Sequence, residues 1–87
     1  MKQYRFKNLN IRHEGVDYLL NGVGFYTIED YDDEMLACFE KAELYDALGK
    51  DGFITSKEVL GHFADDAIVA LNSDYRLCRN LSFDKFV

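Results

Sequence analysis

Proline and tryptophan are absent from these 87 residues, and cysteine occurs only twice. Without proline there is no rigid polyproline spacer. No low-complexity tract or solenoid-period repeat takes its place, so a single domain over residues 1–87 is expected. Cys38 and Cys78 lack a CxxC partner, and a small secreted scaffold would use more cysteines, so free thiols in a reducing compartment are predicted. No apolar run approaches the roughly 20 residues of a membrane span. Met1-Lys2-Gln3-Tyr4-Arg5-Phe6 also lacks the apolar stretch of a signal peptide, so a cytoplasmic location away from membranes is the expectation. Apolar residues are plentiful: 48% of the chain is hydrophobic and 15% aromatic, enough for burial to offset chain entropy without disulfides or metals.

Charge is unevenly distributed about a net value of −6. Residues 1–13 carry Lys2, Arg5, Lys7 and Arg12 and no acid. Residues 14–74 hold fifteen acids against Lys41, Lys50 and Lys57, and the last stretch sets Arg76, Arg79 and Lys85 against Asp84. An acidic middle of this kind disfavours phosphate backbones and suits a basic partner or solubility alone. The basic ends, with Tyr4 and Phe6 interleaved, have the composition of a single-strand nucleic-acid surface. Alternating charge is equally the mark of a half-exposed edge strand, and no direct contact with nucleic acid is expected.

Periodicity and punctuation predict the elements. Tyr4 and Phe6 share one parity and Leu9 and Ile11 the other, so a strand over about 3–12 needs a bulge near Lys7-Asn8 to keep one face buried. His13-Glu14-Gly15 reads as a short turn. Asn21-Gly22 between two β-rich flanks carries the signature of a type I′ hairpin. From residue 30 the spacing of Met35, Cys38, Phe39, Ala42 and Tyr45 is helical, with Asp30 or Asp32 as N-cap and Gly49 as the stop. Thr55 and Glu58 form a T-x-x-E capping box ahead of a second helix with the stripe Leu60, Phe63, Ala67 and Leu71, closed by Asn72-Ser73-Asp74. Tyr75, Leu77, Leu81 and Phe83 alternate as in a strand. The expected fold is α+β, a small antiparallel sheet with two helices packed on one face, in the order βββααβ. Pairing of the last strand with the first would bring the basic ends together and leave the carboxylates on the helical layer.

Two stretches suggest sites. Ala47 to Glu58 is similar to an EF-hand calcium loop, with Asp51 at position 5, Gly52 at the turn glycine, Ile54 at position 8 and Glu58 at position 12. Ala47 and Gly49 stand where carboxylate ligands belong. A turn at Asp51-Gly52 and a capping role for Glu58 account for the same residues, so no metal or other cofactor is expected. The run Glu29, Asp30, Tyr31, Asp32, Asp33 and Glu34 is either a solvated helix start or an acidic surface around an aromatic anchor, extended by Asp46, Asp65 and Asp66.

Catalytic patterns are thin. His62 and Asp65 lie one helical turn apart, but Ser56 and Ser73 sit at expected helix ends, and no nucleophile elbow, HExxH, phosphate loop or dinucleotide fingerprint occurs. A non-enzymatic binding role is predicted. In size, acidity and lack of catalytic signature the chain resembles the broad class of small intracellular inhibitors, including nuclease immunity proteins and phage-encoded anti-restriction and anti-CRISPR proteins. That resemblance implies a protein partner with a basic surface, such as a nucleic-acid-binding enzyme met through DNA mimicry. The alternatives are a calcium-responsive module and a structural subunit that associates through a sheet edge.

Overall fold

The computed structural model describes residues 1–83. Four antiparallel strands form one sheet in the order β1 (Lys2–His13), β2 (Val16–Tyr31), β3 (Glu34–Gly49) and β4 (Gly52–Ile54). Three helices follow, α1 (Lys57–Gly61), α2 (Ala64–Ser73) and α3 (Tyr75–Phe83). The fold is α+β, as composition and pattern suggest, but the order is ββββααα and the closing element is a helix.

The first strand follows its sequence pattern closely. Phe6 pairs with Gly22 and Leu9 with Leu20, so Lys7 and Asn8 form a bulge that restores Tyr4, Phe6, Leu9 and Ile11 to one face. The β1–β2 connection is the two-residue turn Glu14-Gly15, with φ of 51° and 80°.

Asn21-Gly22 is not a turn. β2 continues through both residues, and Asn21 is held from both sides: its Oδ1 accepts from the Asn8 amide at 2.9 Å and its Nδ2 donates to Asp46 at 2.6 Å. Both partners lie at or next to an irregularity in the neighbouring strand. Glycine follows because the strands crowd here, where a Cβ on Gly22 would sit 2.3 Å from the Glu43 carbonyl oxygen. The positive-φ turn that closes the next hairpin lies eleven residues further on, at Asp32-Asp33, with φ of 51° and 66° between the paired Tyr31 and Glu34.

The expected first helix is instead β3. Two register shifts against β2 leave Glu40 and Tyr45 unpaired, and the core-facing residues become Ala37, Phe39, Ala42, Leu44 and Ala47. Steps of two and three residues look helical in a linear string but belong to a twice-bulged strand. Tertiary pairing overrides the helix propensity of this Glu-, Ala- and Leu-rich stretch. Gly49 ends a strand, and Asp30 and Asp32 cap no helix.

The stripe Leu60, Phe63, Ala67 and Leu71 is buried throughout, although the helix breaks around His62-Phe63 into α1 and α2. The N-cap is Ser56 without a side-chain cap bond, so the Thr55–Glu58 box does not form. The alternation from Tyr75 to Phe83 resolves into α3, which buries Cys78, Leu81 and Ser82 at helical spacing. The helices contact β3, with α2 also reaching β1, and share with the sheet a core around Leu20, Phe39 and Leu71. Since α3 packs on β3, the two basic segments are not joined by strand pairing. Asp84 and Lys85, part of the second basic segment, lie outside the described residues.

Candidate partner-binding surface

The acidic run occupies the tip of the β2–β3 hairpin, not a helix start. β2 spans 16 residues, about 50 Å at about 3.3 Å per residue if straight, so within the 43 Å long axis this hairpin must bend along its length, where the ladder has two irregularities. Its turn presents Asp32 and Asp33, flanked by exposed Glu29 and Asp30, with Tyr31 62% exposed beside them. Glu34 is half-buried because α3 reaches it: the Tyr75 hydroxyl donates to Glu34 Oε1, and Arg79 Nε lies 3.7 Å from the same oxygen. That hydrogen bond, followed by desolvation, raises the Tyr75 phenol above its ordinary pKa.

The other acids expected to extend this surface are elsewhere. Asp46 pairs with Asn21, about 33 Å of strand from Tyr31. Asp66 sits in the first turn of α2, where it accepts from His13 Nδ1 at 2.7 Å and ties that helix to the end of β1. Asp65 is exposed next to it. The tip therefore stands as a separate acidic feature, and the helical layer carries only Asp65 and Asp66 of the nominated carboxylates.

The histidine pairing differs from the sequence reading too. His62 is exposed, whereas His13 stacks edge-on against Phe63 with centroids 5.1 Å apart and has Glu14 3.5 Å from Nε2. Through Asp66 and Phe63 its ring joins β1 to α2 and the residue that precedes it, a structural task that also keeps the imidazole half-buried. The calcium-loop likeness loses its entering helix, because Ala47–Gly49 is strand and Lys50-Asp51 forms the turn into β4. Glu58 is an exposed residue of α1, and no cluster of three or more histidines, cysteines or carboxylates able to hold a metal occurs among the described residues.

A groove that sequence reasoning missed lies beside the tip. It holds about 300 Å³ and is lined by Tyr31, Leu36, Ala37, Cys38, Asn72, Tyr75 and Cys78. Asn72 sets one limit: its Oδ1 accepts from the Phe39 amide at 2.8 Å and its Nδ2 donates to the Phe39 carbonyl at 3.0 Å, as an added strand would. In the sequence Asn72 is only a helix stop after Leu71. Burial and a hydrogen bond to the Glu29 carboxylate push the Cys38 thiol up, and burial does the same for Cys78, so both stay protonated near neutral pH. No family model, curated protein or solved structure matches this chain. No helix among the described residues is long and apolar enough to cross a membrane.

Proposed function

We propose that the chain is a non-catalytic acidic binding protein, an intracellular inhibitor that docks the β2–β3 tip on a basic surface of a nucleic-acid enzyme. The observation that carries this reading is the tip itself. Glu29, Asp30, Asp32, Asp33 and Glu34 fall within six residues of a hairpin end, around a tyrosine left 62% exposed. Held by the ladder on both sides, the carboxylates are displayed with little conformational entropy left to lose on binding. They steer a cationic partner at long range, while Tyr31 supplies apolar contact at the centre. The compositional resemblance to small inhibitors such as immunity, anti-restriction and anti-CRISPR proteins supports this reading, and the acidic tip suits a strategy of imitating a nucleic-acid backbone. The phage-like and cytoplasmic setting is part of this proposal.

The experiment is affinity capture from a lysate with the wild-type chain and with an Asp30→Asn, Asp32→Asn, Asp33→Asn variant, then salt titration of the purified complex. A captured nucleic-acid enzyme with a basic surface, lost with the variant and bound at least about tenfold more weakly at 300 mM than at 50 mM salt, is the expected result. Capture of only neutral or acidic proteins, or an affinity indifferent to salt, rejects the electrostatic reading.

A further inference from the structure

The groove beside the tip follows the open edge of β3. β4 pairs only with residues 47–49, so among the described residues β3 has no strand neighbour on that side from Glu34 to Asp46. In a two-residue hairpin the residues flanking the turn, here Tyr31 and Glu34, form a hydrogen-bonded pair, and backbone direction then alternates. Met35, Ala37 and Phe39 accordingly turn their N–H and C=O groups away from β2. The two bonds from Asn72 to the Phe39 backbone fix the same parity independently. Asn72 thus completes one rung of a missing strand. Met35 and Ala37 have no such partner in α2 or α3 among the described residues, although Ala37 is 4% exposed and lines the groove. Unpaired backbone polar groups beside a partly enclosed apolar groove are ready to bond a ligand.

The other edge of the sheet is treated differently. β1 carries Lys2, Arg5 and Lys7 and the Lys7-Asn8 bulge, features that discourage strand addition. The surroundings of the β3 groove are of opposite sign: Asp30 pairs across from Met35, Glu29 bonds Cys38, and Glu34 meets the groove-lining Tyr75, with Arg79 the one cation paired with it among the described residues.

We propose that this groove is a strand-addition site for a short extended segment of a basic protein. The peptide groups of that segment would pair with Met35 and Ala37, continuing the rung begun by Asn72. Its apolar side chain would rest against Leu36, Cys38 and Cys78, and its neighbouring lysine or arginine would meet Glu29, Asp30 and Glu34. Main-chain bonds give such complexes affinity, and alternate side chains give them selectivity. The inference rests on the tip being a surface for cationic partners and adds the chemistry of what is recognised there.

The test uses the full chain labelled with ¹⁵N and three probe peptides: acetyl-Lys-Val-Arg-Val-Lys-amide, the same peptide with alternate backbone nitrogens methylated, and acetyl-Glu-Val-Glu-Val-Glu-amide. The basic peptide is expected to shift the amides of Met35 and Ala37 and the side-chain amide of Asn72, and to slow hydrogen exchange at Ala37. Methylation on the face that meets β3, or Ala37→Pro, which removes one outward donor without touching the β2 ladder, should weaken binding at least about tenfold. If Ala37→Pro does not fold, the methylated peptides alone decide. Shifts confined to Asp30–Asp33, equal binding of methylated and unmethylated peptides, equal binding of the acidic peptide, or no response to any peptide each overturn strand addition. Shifts confined to Asp30–Asp33 would leave the acidic docking reading intact, whereas that reading falls separately on the salt titration of the captured complex.

Discussion

Asn21 shows how much a single side chain decides in this sheet. Its amide satisfies the Asn8 N–H at one bulge and reaches Asp46 at the neighbouring irregularity, so three strands are locked at one level. Asn21→Ala removes both bonds and leaves the Asp46 carboxylate without that donor, at a cost of about 2 kcal/mol. The measurement is the urea midpoint, with an unchanged slope showing that the denatured state is unaffected. Gly22→Ala should cost about 3 kcal/mol or prevent folding, since its Cβ would meet backbone, which yields less than a side chain. The two thiols act on stability through pH. Both Cys38 and Cys78 have folded pKa values raised above 9.0, so the native state keeps protons that the unfolded chain has begun to release. Their contribution is whole below pH 9.0 and is lost as pH climbs towards the folded values. Stability should therefore decline in the alkaline range, and Cys78→Ala should flatten that decline in denaturant titrations at pH 8 and pH 10.

At the scale of elements, the β2–β3 turn is a compromise. Both aspartates adopt left-handed backbone, with φ of 51° and 66°, where Asn-Gly is favoured and an ordinary side chain costs about 1–2 kcal/mol. Replacing Asp32-Asp33 by Asn-Gly should stabilise the fold by about 1 kcal/mol, raising the melting temperature by about 4–8 °C. If the carboxylates are kept for binding, the same change should weaken capture of the basic partner. Asn72 has a comparable role on the far side of β3. Asn72→Ala strips both bonds from Phe39, and a cost of about 2 kcal/mol with a shift towards dimer in light scattering is expected as the edge opens. The sequence revealed elements whose signals were local. The β1 bulge followed from the parity change between Phe6 and Leu9, the Glu14-Gly15 turn from its residues, and the α1–α2 stripe from its period. It misled wherever register irregularities imitated another period, as at Glu40 and Tyr45 in β3, or where Asn-Gly served close strand approach instead of a turn. The acidic run was visible in composition, but its place at a hairpin tip and the groove beside it were not. The groove's walls come from β2, β3, α2 and α3, and only pairing across many residues assembles them.

For the whole molecule, the folding pattern separates charge along the long axis and across the sheet. Arg5, Lys7 and Arg12 stay on the edge strand β1, while the densest acids gather at the β2–β3 tip. The surface ion pairs among the described residues relieve little of this, since Arg12–Asp17 and Lys41–Glu43 are contacts of 3.7 and 3.3 Å between well-exposed groups and Arg79 lies 3.7 Å from a half-buried Glu34 that Tyr75 also engages. Exposed pairs of this kind are each worth about 0–1 kcal/mol. Net repulsion at −6 therefore opposes the compact state, and most strongly at the tip, where like charges are displayed on adjacent rungs. Screening acts over about 30 Å at 10 mM salt and about 8 Å at 150 mM, so adding salt should stabilise the free protein while weakening its complex with a basic partner. The melting temperature of the free chain is expected to rise by about 3 °C between 10 and 300 mM NaCl. In a Glu29→Gln, Asp30→Asn, Asp33→Asn variant that rise should fall by about half, the slope being the readout because asparagine at position 33 also relieves the turn. An unchanged slope would place the repulsion outside the tip, and with it the field invoked to steer the partner.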